Sequence, residues 1–133
     1  MANTELSVEW QGDQRMAGRA PGIDLLLDGS GQAGPSPVQA VAFGLASCMA
    51  IDVVHILTRG RLEVKALTAR LRGERTEEEP RRFLAIALHF AIRGDIPAEK
   101  VERALLLSRD KYCSVWHSLR QDIALRTTFE IAP

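Results

Sequence analysis

Two cysteines, Cys48 and Cys113, are where thiol chemistry in this chain would have to start. They lie far apart in sequence, so neither is the Cys-x-x-Cys partner of the other. In a reducing compartment such a pair reads in two ways, as two inert core thiols or as a working redox pair. Cys48 sits inside a long apolar segment. Apolar surroundings raise a thiol pKa and quiet the group, so a reactive Cys48 would need a cation brought from elsewhere in the chain. Cys113 precedes a short helix expected over Val115–Arg120, with Ser114 as its cap. There the helix dipole and free N–H groups would favour a thiolate.

The other candidate groups are few. Asp52 and His55 follow Cys48 at i+4 and i+7 on the same helix face. His55 would stand about 10 Å along the axis from the thiol and is expected to pair with Asp52. This spacing of Cys48, Asp52 and His55 matches no standard metal-ligand pattern, so no metal is expected. Cys113 and His117, one turn apart, have the types of a hydrolase nucleophile and base, but no third residue is evident to orient them. His89, between Ala87 and Ala91 on a strand, reads as structural.

The element that must position Cys48 is the stretch Pro35–Gly60. Ser36 can cap a helix N-terminus, with Pro37 at the first helical position, where a missing N–H costs nothing. From Ala40 to Ile51 only Gly44, Ser47 and Cys48 interrupt plainly apolar residues. Gly60 offers a left-handed residue to close the helix, and Arg59 suits its negative end. A helix apolar on all sides is expected to be buried on all sides. One sheet and a short amphipathic helix are too little cover for it, so a dimer packing two such helices together is expected.

The remaining elements follow from alternation and punctuation. Leu6–Trp10, Arg15–Arg19 and Ile23–Leu27 read as three strands separated by Gly-, Asp- and Pro-rich turns, an antiparallel meander. Leu62–Arg75 and Phe83–Ile92 read as a hairpin around Thr76-Glu77-Glu78-Glu79-Pro80. Its second arm places Leu84, Ile86, Leu88, Phe90 and Ile92 on one face. Pro97–Asp110 carries the stripe Val101, Ala104, Leu105 and Ser108 of a second helix. Ile123, Leu125, Thr127, Phe129 and Ile131 alternate along a last strand. The order βββ-α-ββ-αα-β predicts an α+β protein with an antiparallel sheet and a buried helix.

Bulk properties narrow the function. The 133 residues suit one domain, 1–133, with a core that needs no disulfide staples. Basic and acidic residues balance at 17 each, with no basic block that nucleic acid or an anionic membrane would select. The opening MANTELSVEW lacks the positive and apolar regions of a signal peptide. The apolar run around Cys48, broken by Gln39 and ended by Asp52, reads as too short to span a bilayer. A soluble, cytoplasmic protein is expected.

The stretch GPSPVQAVAFGLASCMAIDVV, followed later by KYCSV, strongly resembles the OsmC/Ohr family, more closely its branch with P-S-P…C-x-A-I-D-V-V-x-I-L. The resemblance extends from VEW through LLLDG, ERTEEEPRRF and SRDKYCSV to the last strand. It implies an OsmC-like fold, an antiparallel sheet wrapped around a long buried central helix in an intertwined homodimer. It further implies thiol-dependent reduction of organic hydroperoxides. Cys48 would be the peroxidatic thiol and Cys113 the resolving one. A Cys48–Cys113 disulfide would be reduced by an external dithiol or lipoyl-type reductant, with no cofactor and no metal.

Two positions depart from the family's peroxidases. There a glutamate follows the proline that opens the cysteine helix and holds an arginine against the thiolate. Here Val38 and then Gln39 occupy that place, and Gln39 is the residue left to orient an arginine. The activating arginine would be Arg15 or Arg19, neither in the family's double-glycine setting. The alternative reading is a non-peroxidatic OsmC-like dimer that binds a small apolar ligand at the subunit interface.

Overall fold

The computed structural model describes residues 2–133. The chain forms two compact units, one running to Phe43 and the other from Gly44 to Pro133. In the first, strands β1 (Ser7–Trp10), β2 (Arg15–Ala20) and β3 (Ile23–Asp28) form the expected antiparallel meander in the order β1-β2-β3. Its turns carry the residues that left-handed backbone requires. Gly12 and Asp13 stand at positive φ between β1 and β2, and Gly22 does so between β2 and β3.

Asp28 does more than stop β3. Its carboxylate accepts the N–H groups of Ser30 (2.9 Å) and Ala33 (3.0 Å) and the Ser30 hydroxyl (2.8 Å). The amide bond from Ala33, then those from Ser30, hold its pKa below the usual carboxylate range. The Asp28 N–H in turn donates to the Pro35 carbonyl, which fixes the loop leading to the long helix.

Helix α1 (Pro37–Arg59) opens on a capping box. The Gln39 N–H donates to Ser36 Oγ (3.1 Å), and the Ser36 N–H donates to Gln39 Oε1 (3.0 Å). It closes one residue later than Gly60 suggests. The left-handed residue is Arg61, at φ 64°, and Gly60 does not adopt positive φ. The Leu62 N–H reaches the Leu57 carbonyl and the Arg61 N–H that of Thr58, the two bonds of a Schellman motif. Leu62 packs onto the same core as Leu57.

The expectation that α1 is buried all round does not hold within the chain. Only Leu45, Met49, Val53 and Leu57 are buried, a stripe at every fourth residue. Val41, Phe43, Ile51 and Val54 are exposed, Ile51 to 67%. The expectation that its apolar run is too short also fails on length and hydropathy alone. Gln39 lies in the first turn, and Val53, Val54, Ile56 and Leu57 extend the apolar run past Asp52. The helix is therefore long and apolar enough to cross a membrane, a test that the core helix of a soluble protein also passes.

In the second unit, β4 (Ala66–Arg75), β5 (Phe83–Arg93) and β6 (Ala124–Ala132) form a sheet in the order β4-β5-β6. The hairpin β4–β5 is antiparallel as expected, but β6 pairs with β5 in parallel. The expected all-antiparallel sheet is thus mixed. The chain leaves β5, passes through the helical segment and returns in the same direction, as a crossover connection requires.

Central β5 buries Ile86, Leu88, Phe90 and Ile92, whereas Leu84, expected on the same face, is exposed at the strand's start. These residues and the α1 stripe share one core with Val101, Ala104 and Leu105 of helix α2 (Ala98–Leu107). The α-helix ends three residues short of Asp110. A π-helical turn, Ser108–Tyr112, follows, and then the one-turn helix α3 (Ser114–His117), shorter than the expected Val115–Arg120.

Candidate functional site

The second unit brings Cys48, Asp52 and Cys113 together. Their Sγ, carboxylate oxygen and Sγ atoms all lie within 4.8 Å of one another. Cys48 and Asp52 are half-buried, one turn apart on α1, while Cys113 is completely buried. Both cysteines are free thiols.

Cys113 arrives there because α2 gives way to the π-helical turn. Ser108 is the pivot. Its carbonyl accepts the Cys113 N–H (2.7 Å), a five-residue step that closes the wide turn. Its hydroxyl donates to Asp52 Oδ2 (2.7 Å) and ties the turn to α1. Ser108 is fully buried. A serine on the otherwise apolar stripe of Val101, Ala104 and Leu105 is the sequence signal for this role. A buried hydroxyl needs a partner, and a carboxylate is a strong one.

The expected cap of α3, Ser114, is displaced by one residue. Cys113 itself is the N-cap, and the Trp116 N–H donates to its Sγ (3.3 Å). That bond favours a thiolate, but other effects outweigh it. Burial first, then the hydrogen bond and charge of Cys48 and the charge of Asp52, push the Cys113 thiol up from 9.0 to about 11. The expectation that this position favours a thiolate is therefore overturned. A helix of one turn offers little dipole, whereas desolvation acts in full on a buried sulfur.

The remaining candidates sort themselves by partner. Asp52 is held by Ser108, not by His55 as expected. His55 is exposed and lines a cleft of about 620 Å³ with Asp52, Ile56, Arg59, Arg103 and Tyr112. His117 is exposed while Cys113 is buried, and its backbone N–H is what bonds to the Cys113 carbonyl. His89 is structural as expected, joined to Thr128 Oγ1 (2.8 Å) and Glu130 Oε1 (3.0 Å) across to β6.

Arg15, Arg19 and Gln39 belong to the first unit. Arg15 stands opposite Asp28 in the β2–β3 register. Arg19 is exposed and forms ion pairs with Glu9 (3.7 Å) and Asp24 (3.6 Å) on the strands to either side. Gln39 uses its side-chain carbonyl in the capping box described above.

A family model described as OsmC-like protein matches residues 29–128, which include both cysteines and Asp52. The chain belongs to the OsmC-like family. Protein YhfA of Escherichia coli K12 is 40% identical over 127 residues, covering 93% of this chain and 95% of that protein. A hypothetical protein of Aquifex aeolicus VF5 superposes with a TM-score of 0.92 at 26% identity, over 99% of this chain and 98% of that one. A Legionella pneumophila structure, described as an organic hydroperoxide resistance protein OsmC, shares the fold. Its TM-score is 0.73 at 16% identity, over 98% and 99% of the two chains.

Proposed function

We propose that the protein is a thiol-dependent peroxidase that reduces organic hydroperoxides through Cys48 and Cys113. The observation that carries this reading is the approach of two free thiols, distant in sequence, to within 4.8 Å beside a carboxylate. A disulfide sets the sulfurs at about 2.05 Å, so the two side chains close a gap of at most about 2.8 Å to form it. The Legionella pneumophila structure that shares this fold is described as an organic hydroperoxide resistance protein, which supports the same reading.

Their environments divide the roles. Cys48 is accessible enough to meet a hydroperoxide, and Cys113 is buried behind it as a protonated thiol. The Cys48 thiolate attacks the peroxide O–O bond and becomes sulfenic acid, and the released alkoxide takes a proton to leave as an alcohol. Cys113 then attacks the sulfenic sulfur, its proton departing with the hydroxyl as water, and a Cys48–Cys113 disulfide results. An external dithiol or lipoyl-type reductant restores both thiols. Asp52 is the carboxylate in reach to relay the Cys113 proton to the departing hydroxyl. Val38 and Gln39 stand where the family's peroxidases carry a glutamate.

The reading includes a homodimer, because Ile51 and Val54 leave an apolar face of α1 exposed that a second copy of the helix would cover; a cytoplasmic location is part of the same proposal. A second reading, a dimer that binds a small apolar ligand without peroxidase chemistry, draws on that same missing glutamate.

Incubating reduced protein with cumene hydroperoxide and counting free thiols distinguishes the two. Loss of both thiols per chain with consumption of peroxide is expected, and Cys48→Ser abolishes consumption. Survival of both thiols with the peroxide intact would rule out the peroxidase.

A further inference from the structure

We infer that the reduced protein binds a divalent cation of zinc type through Cys48, Cys113 and Asp52, with the fourth position open to solvent. The inference goes beyond the peroxidase reading and stands whether or not the thiols reduce hydroperoxides. In the sequence the third ligand considered beside Cys48 and Asp52 was His55, and the spacing fitted no metal site. The fold replaces His55 with Cys113, and the donor set changes character. Two sulfurs and one carboxylate oxygen now converge from two segments of chain within 4.8 Å of one another.

The dimensions suit such an ion. With Zn–S near 2.3 Å and Zn–O near 2.0 Å, a tetrahedral centre sets its donor atoms roughly 3.5–3.8 Å apart. A contraction of at most about 1.3 Å from the 4.8 Å limit achieves that, within the reach of side-chain rotation. Thiolate with carboxylate selects zinc-like cations over magnesium or calcium, which prefer oxygen donors. Cys48 and Asp52 at i and i+4 on one helix face repeat the placement of paired ligands in helical zinc sites.

The surrounding groups are those a metal site requires behind its ligands. Ser108, fully buried, donates to Asp52 Oδ2 and leaves Oδ1 as the coordinating atom. The Trp116 N–H donates to Cys113 Sγ, which stabilises charge on that sulfur. Asp52 also borders the cleft of about 620 Å³, through which water or an exogenous ligand reaches the fourth position. Binding releases the two thiol protons and leaves a centre of two thiolates, one carboxylate and one divalent cation. A cation held there blocks both sulfurs, so the site acts as a metal-controlled lock on the thiol pair.

The test is a zinc titration of the reduced full-length protein against a chromophoric chelator. One zinc per chain is expected. Cys48→Ser and Cys113→Ser each weaken binding by at least about 100-fold, and Asp52→Asn and Ser108→Ala by about 10-fold. His55→Ala leaves the affinity unchanged. Equal affinity in Cys48→Ser, or loss in His55→Ala with none in Asp52→Asn, overturns the assignment. Because Cys113 is in the core, cadmium added to the unsubstituted protein provides a readout free of folding effects. An ultraviolet thiolate-to-cadmium band with the intensity of two sulfurs per ion supports the site, and its absence overturns it.

Discussion

The two cysteine-bearing segments are built on opposite principles. Cys48 lies on α1, whose start and stop are set by neighbours in sequence, a Ser36–Gln39 capping box and a Schellman closure at Arg61. Cys113 lies where regular helix fails, between a π-helical turn and a one-turn helix, held by a hydroxyl that reaches across to another element. Local rules would make Cys113 the reactive thiol, because it caps a helix, and Cys48 the quiet one. Tertiary burial reverses the order. The sulfur at the helix start has no exposed surface, and the one in mid-helix keeps some. A cap's hydrogen bond does not compensate for desolvation when the helix behind it is one turn long.

The difference is sharpest in reactivity. At pH 8 Cys113 should alkylate at least about 10-fold slower than a free cysteine, since its raised pKa leaves about 100-fold less thiolate, an effect the greater nucleophilicity of a more basic thiolate offsets only in part. Cys48 should react first. Iodoacetamide labelling of the reduced protein, followed peptide by peptide in mass spectrometry, reads both rates. The opposite order would break the comparison.

A smaller effect appears in stability. The raised Cys113 thiol keeps its proton in the folded state where the unfolded chain has lost it. Its contribution is fully present below pH 9.0 and disappears as pH rises to about 11. The loss amounts to about 2–3 kcal/mol, because the unfolded state binds fewer protons across that window. Urea unfolding of reduced wild type and Cys113→Ser at pH 8, 9.5 and 11 isolates it. Parallel pH profiles for the two proteins would show that Cys113 is not the titrating group.

The smallest effect tests the local side of the comparison. Ser36→Ala removes half of the capping box and should cost about 1 kcal/mol in urea unfolding. The ratio of Cys48 to Cys113 labelling rates should stay where it was. A changed ratio would mean that the start of α1 controls the thiols as well as the helix.

Much of the fold was legible because it rests on short-range rules. Turn residues placed the meander, Ser36 and Pro37 placed the start of α1, and strict alternation placed β5 and β6. Errors fell where distant parts of the chain decide. Gly60 was the natural left-handed residue, but the closure falls at Arg61, with Leu62 packed onto the core that holds Leu57. The parallel pairing of β6 was invisible to alternation, which reads the same for either strand direction.

The site divides along the same line. The sequence by itself determined which residues carry thiol and carboxylate chemistry, that Cys48 and Asp52 share a helix face, and which family the chain resembles. Helical periodicity and residue type suffice for that. Only the tertiary structure decided that Cys113, not His55, completes the cluster, that Ser108 holds Asp52, and that Cys113 is the thiol that stays protonated. Those outcomes depend on which groups lose their water and on which distant side chains meet, and both are properties of the packed core.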